Sequence, residues 1–138
     1  MTVEIFQEKL SDIEAKQLNP LVLAFIGDAV YEVFVRNHLL LKNRNLKVND
    51  LHKYVVEFVK AKAQSNIMKL IEHELTEDEV YIYKRGRNCK SATVPKNANV
   101  TDYRIATGFE AVIGYLHLTG REDRLNYIYG MVIELSEV

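Results

Sequence analysis

Apolar residues recur along this chain at helical spacing, and only six glycines and two prolines interrupt the pattern over 138 residues. Long helices are therefore allowed, and no alternating run is long enough for a sheet. Residues 4–16 predict a short first helix that ends near Asn19-Pro20. Proline lacks a backbone N–H and suits a first helical turn, so Pro20 opens the next helix, which runs to about Leu41. Lys42 to Asn45 is a connection. Asn49 is placed to cap a helix from Asp50 to about His73, with apolar residues at 51, 55, 58, 59, 67, 70 and 71. Thr76-x-x-Glu79 forms a capping box for another helix, which decays into the polar stretch Gly86 to Asn99. Thr101 caps a helix to about Leu118, closed by Gly120, and Arg121 to about Leu135 makes the last one. The expectation is an all-α, compact helical bundle forming a single domain over residues 1–138.

Two windows break their own pattern. Pro20 to Val35 reads PLVLAFIGDAVYEVFV, apolar on nearly every face, which predicts a central buried helix. Asp28 and Glu32 interrupt it, four residues apart and so on one face. Ile105 to Leu118 reads IATGFEAVIGYLHL, and Glu110 interrupts it; Arg104, Thr107, Glu110 and Gly114 form a polar or small stripe. A carboxylate in apolar surroundings is costly unless it is paired or changes its ionisation. Two such acids on different helices offset that cost by sharing a hard cation. Mg2+ suits the pair, because it takes one or two carboxylates and keeps several waters. Gly27, with Gly108 or Gly114, would let the two backbones approach. The same acids also read as surface residues or as halves of ion pairs, with Arg104 neutralising Glu110. Periodicity alone leaves both readings open.

Composition narrows the field. Hydrophobic residues make up 48% of the chain, enough for a core, and the charged 27% mixes both signs, which excludes a disordered tail. The lone cysteine, Cys89, excludes a disulfide framework or a cysteine zinc site within one chain. It also points to a reducing compartment. Glu4 and Glu8 stand where a signal peptide needs bases, and the longest apolar stretch, Pro20 to Ile26, is too short for a bilayer. The expected location is the cytoplasm, with no membrane partner. The four histidines are scattered without an HExxH pair, which disfavours a zinc hydrolase.

The net charge of -1 is neutral about partners, but its distribution is not. Lys84 to Lys96 reads KRGRNCKSATVPK and holds Lys84, Arg85, Arg87, Lys90 and Lys96 without an acid, +5 there against -6 elsewhere. Asn88, Ser91, Thr93 and Asn97 add hydrogen-bonding groups. Cations interleaved with small polar groups attract a phosphate backbone; a solvated face is the plain alternative. Gly86 and Pro95 predict an irregular, exposed path, on which alanine at Arg85 or Lys96 would weaken nucleic-acid binding and spare the fold.

Leu23-Ala24-Phe25-Ile26-Gly27-Asp28-Ala29-Val30 resembles the signature of the ribonuclease III catalytic domain, a Gly-Asp pair inside an apolar helix. Phe109-Glu110-Ala111-Val112-Ile113-Gly114-Tyr115-Leu116 resembles that family's second motif, and Ala61-Lys62-Ala63-Gln64-Ser65 looks like its middle helix. Three motifs in order, over roughly residues 18–120, make a specific match. Arg85 to Ser91, Pro95 to Ala98 and Tyr103 to Ala111 are similar to the short bacterial branch of the family, mini-ribonuclease III, which has no double-stranded-RNA-binding domain.

The resemblance implies a ribonuclease III endonuclease-type bundle and hydrolysis of double-stranded RNA, for this branch the large-subunit ribosomal RNA precursor. It implies Asp28 and Glu110 as the catalytic, metal-holding acids, with Mg2+ as cofactor and Mn2+ as a substitute. Full-length relatives carry further acids where this chain has Ala24 and Thr107. Those departures imply one tightly held ion, and a second brought in with substrate. Glu32 is a candidate outer helper. Family members are two-fold dimers, so Val30, Tyr31 and Phe34 are candidates for the subunit contact. The RNA-contacting set is Lys84, Arg85, Arg87, Asn88, Lys90, Ser91, Lys96 and Asn97.

Overall fold

Side chains that accept from free backbone N–H groups set most of the helix starts. A computed structural model describes residues 8–90 and 94–136. Among them lie seven α-helices: α1 (Asp12–Gln17), α2 (Pro20–Lys42), α3 (Val48–Val59), α4 (Ala61–Ile71), α5 (Glu77–Asn88), α6 (Val100–Leu118) and α7 (Glu122–Ser136). A single 3-10 turn, Glu72–Glu74, follows α4, and no strand occurs among the described residues. Asn19 accepts from Leu21 N at 2.8 Å ahead of Pro20, and Thr76 with Glu79 closes the expected capping box on α5.

Three starts differ from expectation. Helix α1 begins only at Asp12, behind a capping box formed by Ser11 and Glu14; the part of the expected helix before residue 8 lies outside the described residues. Helix α3 starts behind Lys47, with no side-chain cap. Asn99, not Thr101, caps α6, accepting from Asp102 N at 3.0 Å.

Packing places α6, rather than α2, at the centre. From Ile105 to Leu116 every residue except Glu110 is buried. Helix α2 buries one face through Leu23, Ala24, Gly27, Tyr31, Val35 and Leu39. Its other face leaves Val22, Phe25, Val33 and Leu40 exposed, Phe25 by 79%. Helices α2 and α6 meet backbone to backbone at two glycines. A Cβ on Gly27 would stand 1.8 Å from Glu110 O, and one on Gly114 would stand 2.0 Å from Leu23 O. Gly108 serves another contact, because a Cβ there would strike Tyr83 of α5 at 2.7 Å.

The helix expected from 50 to 73 is two helices. Lys60 is extended (φ -61°, ψ 151°) and turns the chain between α3 and α4. Helix α5 continues through Gly86 to Asn88, because Gly86 is buried against Gly108 and Ala111 of α6 rather than ending the helix. At the opposite end, Lys16 reaches Asp78 at 2.6 Å, Arg121 reaches Asp12 at 3.3 Å, and Tyr115 donates to Asp12, which ties α1 to α5, to α6 and to the residue just ahead of α7. Glu79, fully buried, is satisfied by Arg124 at 2.7 and 2.8 Å.

Candidate active site

The close α2–α6 crossing decides where the two acids go. Asp28 follows Gly27 on α2, and Glu110 contributes the α6 backbone that Gly27 packs against. Their side chains turn into one open cleft of about 290 Å3, lined also by Val59, Ala61, Gln64, Tyr103, Ala106 and Thr107. Asp28 is exposed and Glu110 is partly buried. Burial first, and then the neighbouring Asp28 carboxyl and its charge, push the Glu110 carboxyl up to about 9, while the Gln64 amide pulls it down. The metal-free site thus favours the protonated, neutral form of Glu110.

The residues present fit a hard divalent ion. Two carboxylates converge, the cleft is open to solvent, and the buried Gln64 Oε1 has no partner. Among the described residues no group of three or more His, Cys, Asp or Glu is placed to hold a metal. The protein donor set is thus the two acids, which suits Mg2+ with waters completing its shell. Thr107 donates from its hydroxyl to Tyr103 O at 2.9 Å, so it lines the cleft with its hydroxyl proton already engaged. Glu32 accepts from Arg36 at 3.2 Å, and Arg104 is exposed.

The basic segment lies beside the same helix. Gly86 rests on Thr107, Gly108 and Ala111, so the end of α5 runs one helix width from the cleft wall. Lys84, Asn88, Lys90, Lys96 and Asn97 are exposed. Asn97 adopts φ 73° in a turn closed by Ala98 N donating to Pro95 O at 3.0 Å, a position that favours Asn or Gly. Arg87 is half-buried over the Tyr83 ring. Arg85 points the other way: its guanidinium donates to Lys16 O at 2.6 Å and Leu18 O at 3.4 Å, holding the end of α1. The stretch 84–88 is therefore helical, and irregular only beyond it. Ser91 and Thr93 lie outside the described residues.

Of the residues expected at a subunit contact, Tyr31 is 1% exposed and packs edge-on to Phe109, within this chain's own core. Phe34 stacks on Tyr129 at 3.8 Å. Exposed apolar area on α2 lies instead at Val22, Phe25 and Val33. Gln64 at the site carried no chemical signal in the sequence; its only pointer was the middle-helix motif that contains it.

Residues 21–121 match the Ribonuclease III domain family. A mini-ribonuclease 3 from Clostridium tetani is 52% identical over 94% of this chain and 86% of its own length. One from Enterococcus faecalis is 49% identical over 86% of this chain and 91% of its own, and one from Staphylococcus aureus is 44% identical over 90% and 93%. A crystal structure of a protein from Fusobacterium nucleatum, 37% identical, superimposes with a TM-score of 0.79 over 91% of this chain and 98% of that one. Among the described residues no helix is long and apolar enough to cross a membrane.

Proposed function

Because the chain belongs to the ribonuclease III family, we propose that it is a Mg2+-dependent endoribonuclease that cuts double-stranded RNA as a cytoplasmic homodimer and matures the large-subunit (23S) ribosomal RNA precursor. Endoribonuclease activity on duplex RNA, with a metal requirement, is the family's common chemistry. Mg2+, with Mn2+ as a substitute, is our reading of the cleft. The observation that carries it is the meeting of Asp28 and Glu110 in one open groove, where burial and the neighbouring acid disfavour the charge of Glu110 until a cation offsets it.

Asp28 and Glu110 would hold the ion. When bound, it supplies Lewis acidity toward the scissile phosphate and a water of lowered pKa, for hydrolysis to 5′-phosphate and 3′-hydroxyl ends. Glu110 would have to be ionised to hold the ion, and the exposed Asp28 would be the second carboxylate facing it. The α2–α6 glycine contact keeps the two carboxyls at a fixed separation. Lys84, Arg87, Asn88, Lys90, Lys96 and Asn97, with Ser91, line the approach of the phosphate backbone; A-form RNA is gripped by shape, 2′-hydroxyls and phosphates rather than by sequence.

A duplex has two strands related by a local two-fold axis, and a two-fold dimer sets one site against each. The exposed α2 face with Phe25 supports that assembly, since an isolated chain gains nothing from presenting it to water. The test is incubation of the purified protein with a structured RNA duplex, with and without Mg2+, beside Asp28→Asn. The wild type cuts only with the metal, and Asp28→Asn binds the duplex without cutting it. Turnover by Asp28→Asn would remove the site assignment. A wild type that binds duplex RNA and leaves it intact with either metal would mark a catalytically inactive RNA-binding relative.

A further inference from the structure

Gln64 is a buried amide at the cleft of which the fold uses only one end. It sits in the first turns of α4 and is 2% exposed, a place where a side chain with an acceptor left over is costly. Its Nε2 donates to Val59 O at 2.9 Å, a carbonyl freed of its helical partner by the break at Lys60. That donation fixes the orientation of the amide, because the oxygen cannot face another carbonyl oxygen. The same amide lies beside Glu110 in the cleft lining and favours the charged form of its carboxyl. Its Oε1 is buried and has no partner. Val59, Ala61, Gln64, Asp28 and Glu110 all line one cleft of about 290 Å3, room for several waters at about 30 Å3 each.

An unpartnered acceptor, nearly sealed in the wall of a site that holds two acids, points to a donor delivered with a ligand. We propose that Gln64 is a positioning residue of the metal site: its Nε2 holds the Glu110 carboxyl, and its Oε1 accepts a hydrogen bond from a water in the hydration shell of the divalent ion. The inference rests on the metal reading above and adds to it an outer partner that is not an acid. It also gives the Lys60 break a purpose. A helix running straight through residue 60 would bond Val59 O internally and leave the amide without its anchor.

The test is Mn2+ binding to the RNA-free protein, followed by calorimetry and by the electron paramagnetic resonance of free Mn2+. The proteins are wild type, Gln64→Met, Gln64→Leu and Asp28→Asn. Outer partners of metal ligands typically affect affinity about 10- to 100-fold, so Gln64→Met binds Mn2+ at least about tenfold more weakly than wild type. Its duplex affinity in EDTA is unchanged, and its metal-free melting temperature stays within a few degrees. A residue that merely bridges the helix break would lower the melting temperature and leave Mn2+ affinity alone, and that result overturns the proposal. Gln64→Leu provides the same measurement if the methionine variant does not fold. If the wild type itself binds no Mn2+, or Asp28→Asn binds it equally well, the metal reading falls first and this inference falls with it.

Discussion

Replacing Gly27 by alanine sets two effects of known sign against each other. Alanine is the better helix former by up to about 1 kcal/mol. The added Cβ, however, would stand 1.8 Å from Glu110 O, 2.7 Å from Glu110 C and 2.8 Å from Gly114 N. Real Cβ contacts essentially never fall below 3.0 Å, so α2 and α6 must part by roughly 1.2 Å. Both sides of the contact are backbone, and no flexible side chain can swing away. Overpacking of this kind costs about 3 kcal/mol, at the top of the usual range. The clash therefore wins, leaving a net loss of about 2 kcal/mol, which lowers the melting temperature by about 7 °C for a chain of this length.

The same displacement moves Asp28 away from Glu110, and a misplacement near 1 Å at a reacting centre costs on the order of 100-fold in rate. The assay is urea unfolding at fixed protein concentration, with single-turnover cleavage of a duplex under saturating Mg2+. Gly130→Ala is the internal control. Nothing lies within 4 Å of a Cβ there, in the middle of α7, so only the helix-propensity gain remains: about 0.5–1 kcal/mol of added stability and unchanged cleavage. If Gly27→Ala is as stable as Gly130→Ala and cuts at the wild-type rate, the backbone contact does not set the site.

Three further outcomes are expected. Glu110 has a folded-state pKa of about 9, above its ordinary value of 4.5, so the metal-free fold binds the extra proton and loses stability as pH rises through that interval. Melting in EDTA should accordingly fall from about pH 5 to pH 9, with added Mg2+ restoring most of the loss at the alkaline end; a flat profile would contradict the raised Glu110 pKa. Arg85→Ala should cost about 1–2 kcal/mol by releasing the end of α1, whereas Lys90→Ala or Lys96→Ala should leave melting unchanged and lower the salt slope of RNA binding by about 0.7–0.9 each; equal behaviour of all three would refute the division of labour. Phe25→Glu should yield monomers by analytical ultracentrifugation, because two-fold symmetry counts each lost contact twice; an unaltered dimer would place the interface elsewhere.

Periodicity and capping chemistry made most of the bundle legible. The apolar run of α2, the Thr76 box and the long apolar α6 each follow from local rules. Asp28 and Glu110 stood out because each interrupts such a run, and the fold brings them together in one cleft. The break at Lys60 was not legible. Lys60-Ala61-Lys62 consists of good helix formers, with no Gly or Pro, and the break is held by a side-chain bond from Gln64 to Val59 O that no propensity or capping rule signals. Gly86 misled in the opposite sense: it read as a helix end, yet it is a packing surface for Gly108. The apolar excess of α2 showed that much area is hidden from water, but not whether a sister helix or a second subunit hides it. Arg85 shared the charge signature of its neighbours, and only the position of α1 revealed where its guanidinium goes.

The enclosure of α6 on nearly all sides bears on when this protein becomes dangerous to the cell. Asp28 leaves the ribosome some eighty residues ahead of its partner, and Glu110 arrives on a helix that has no stable place until α2, α4 and α5 have closed around it. On the site proposed above, a nascent or half-folded chain, surrounded by structured RNA at the site of its own synthesis, would carry both acids without the means to use them. Hydrolytic power would then come only with the finished interior, and the core itself would act as the safety catch.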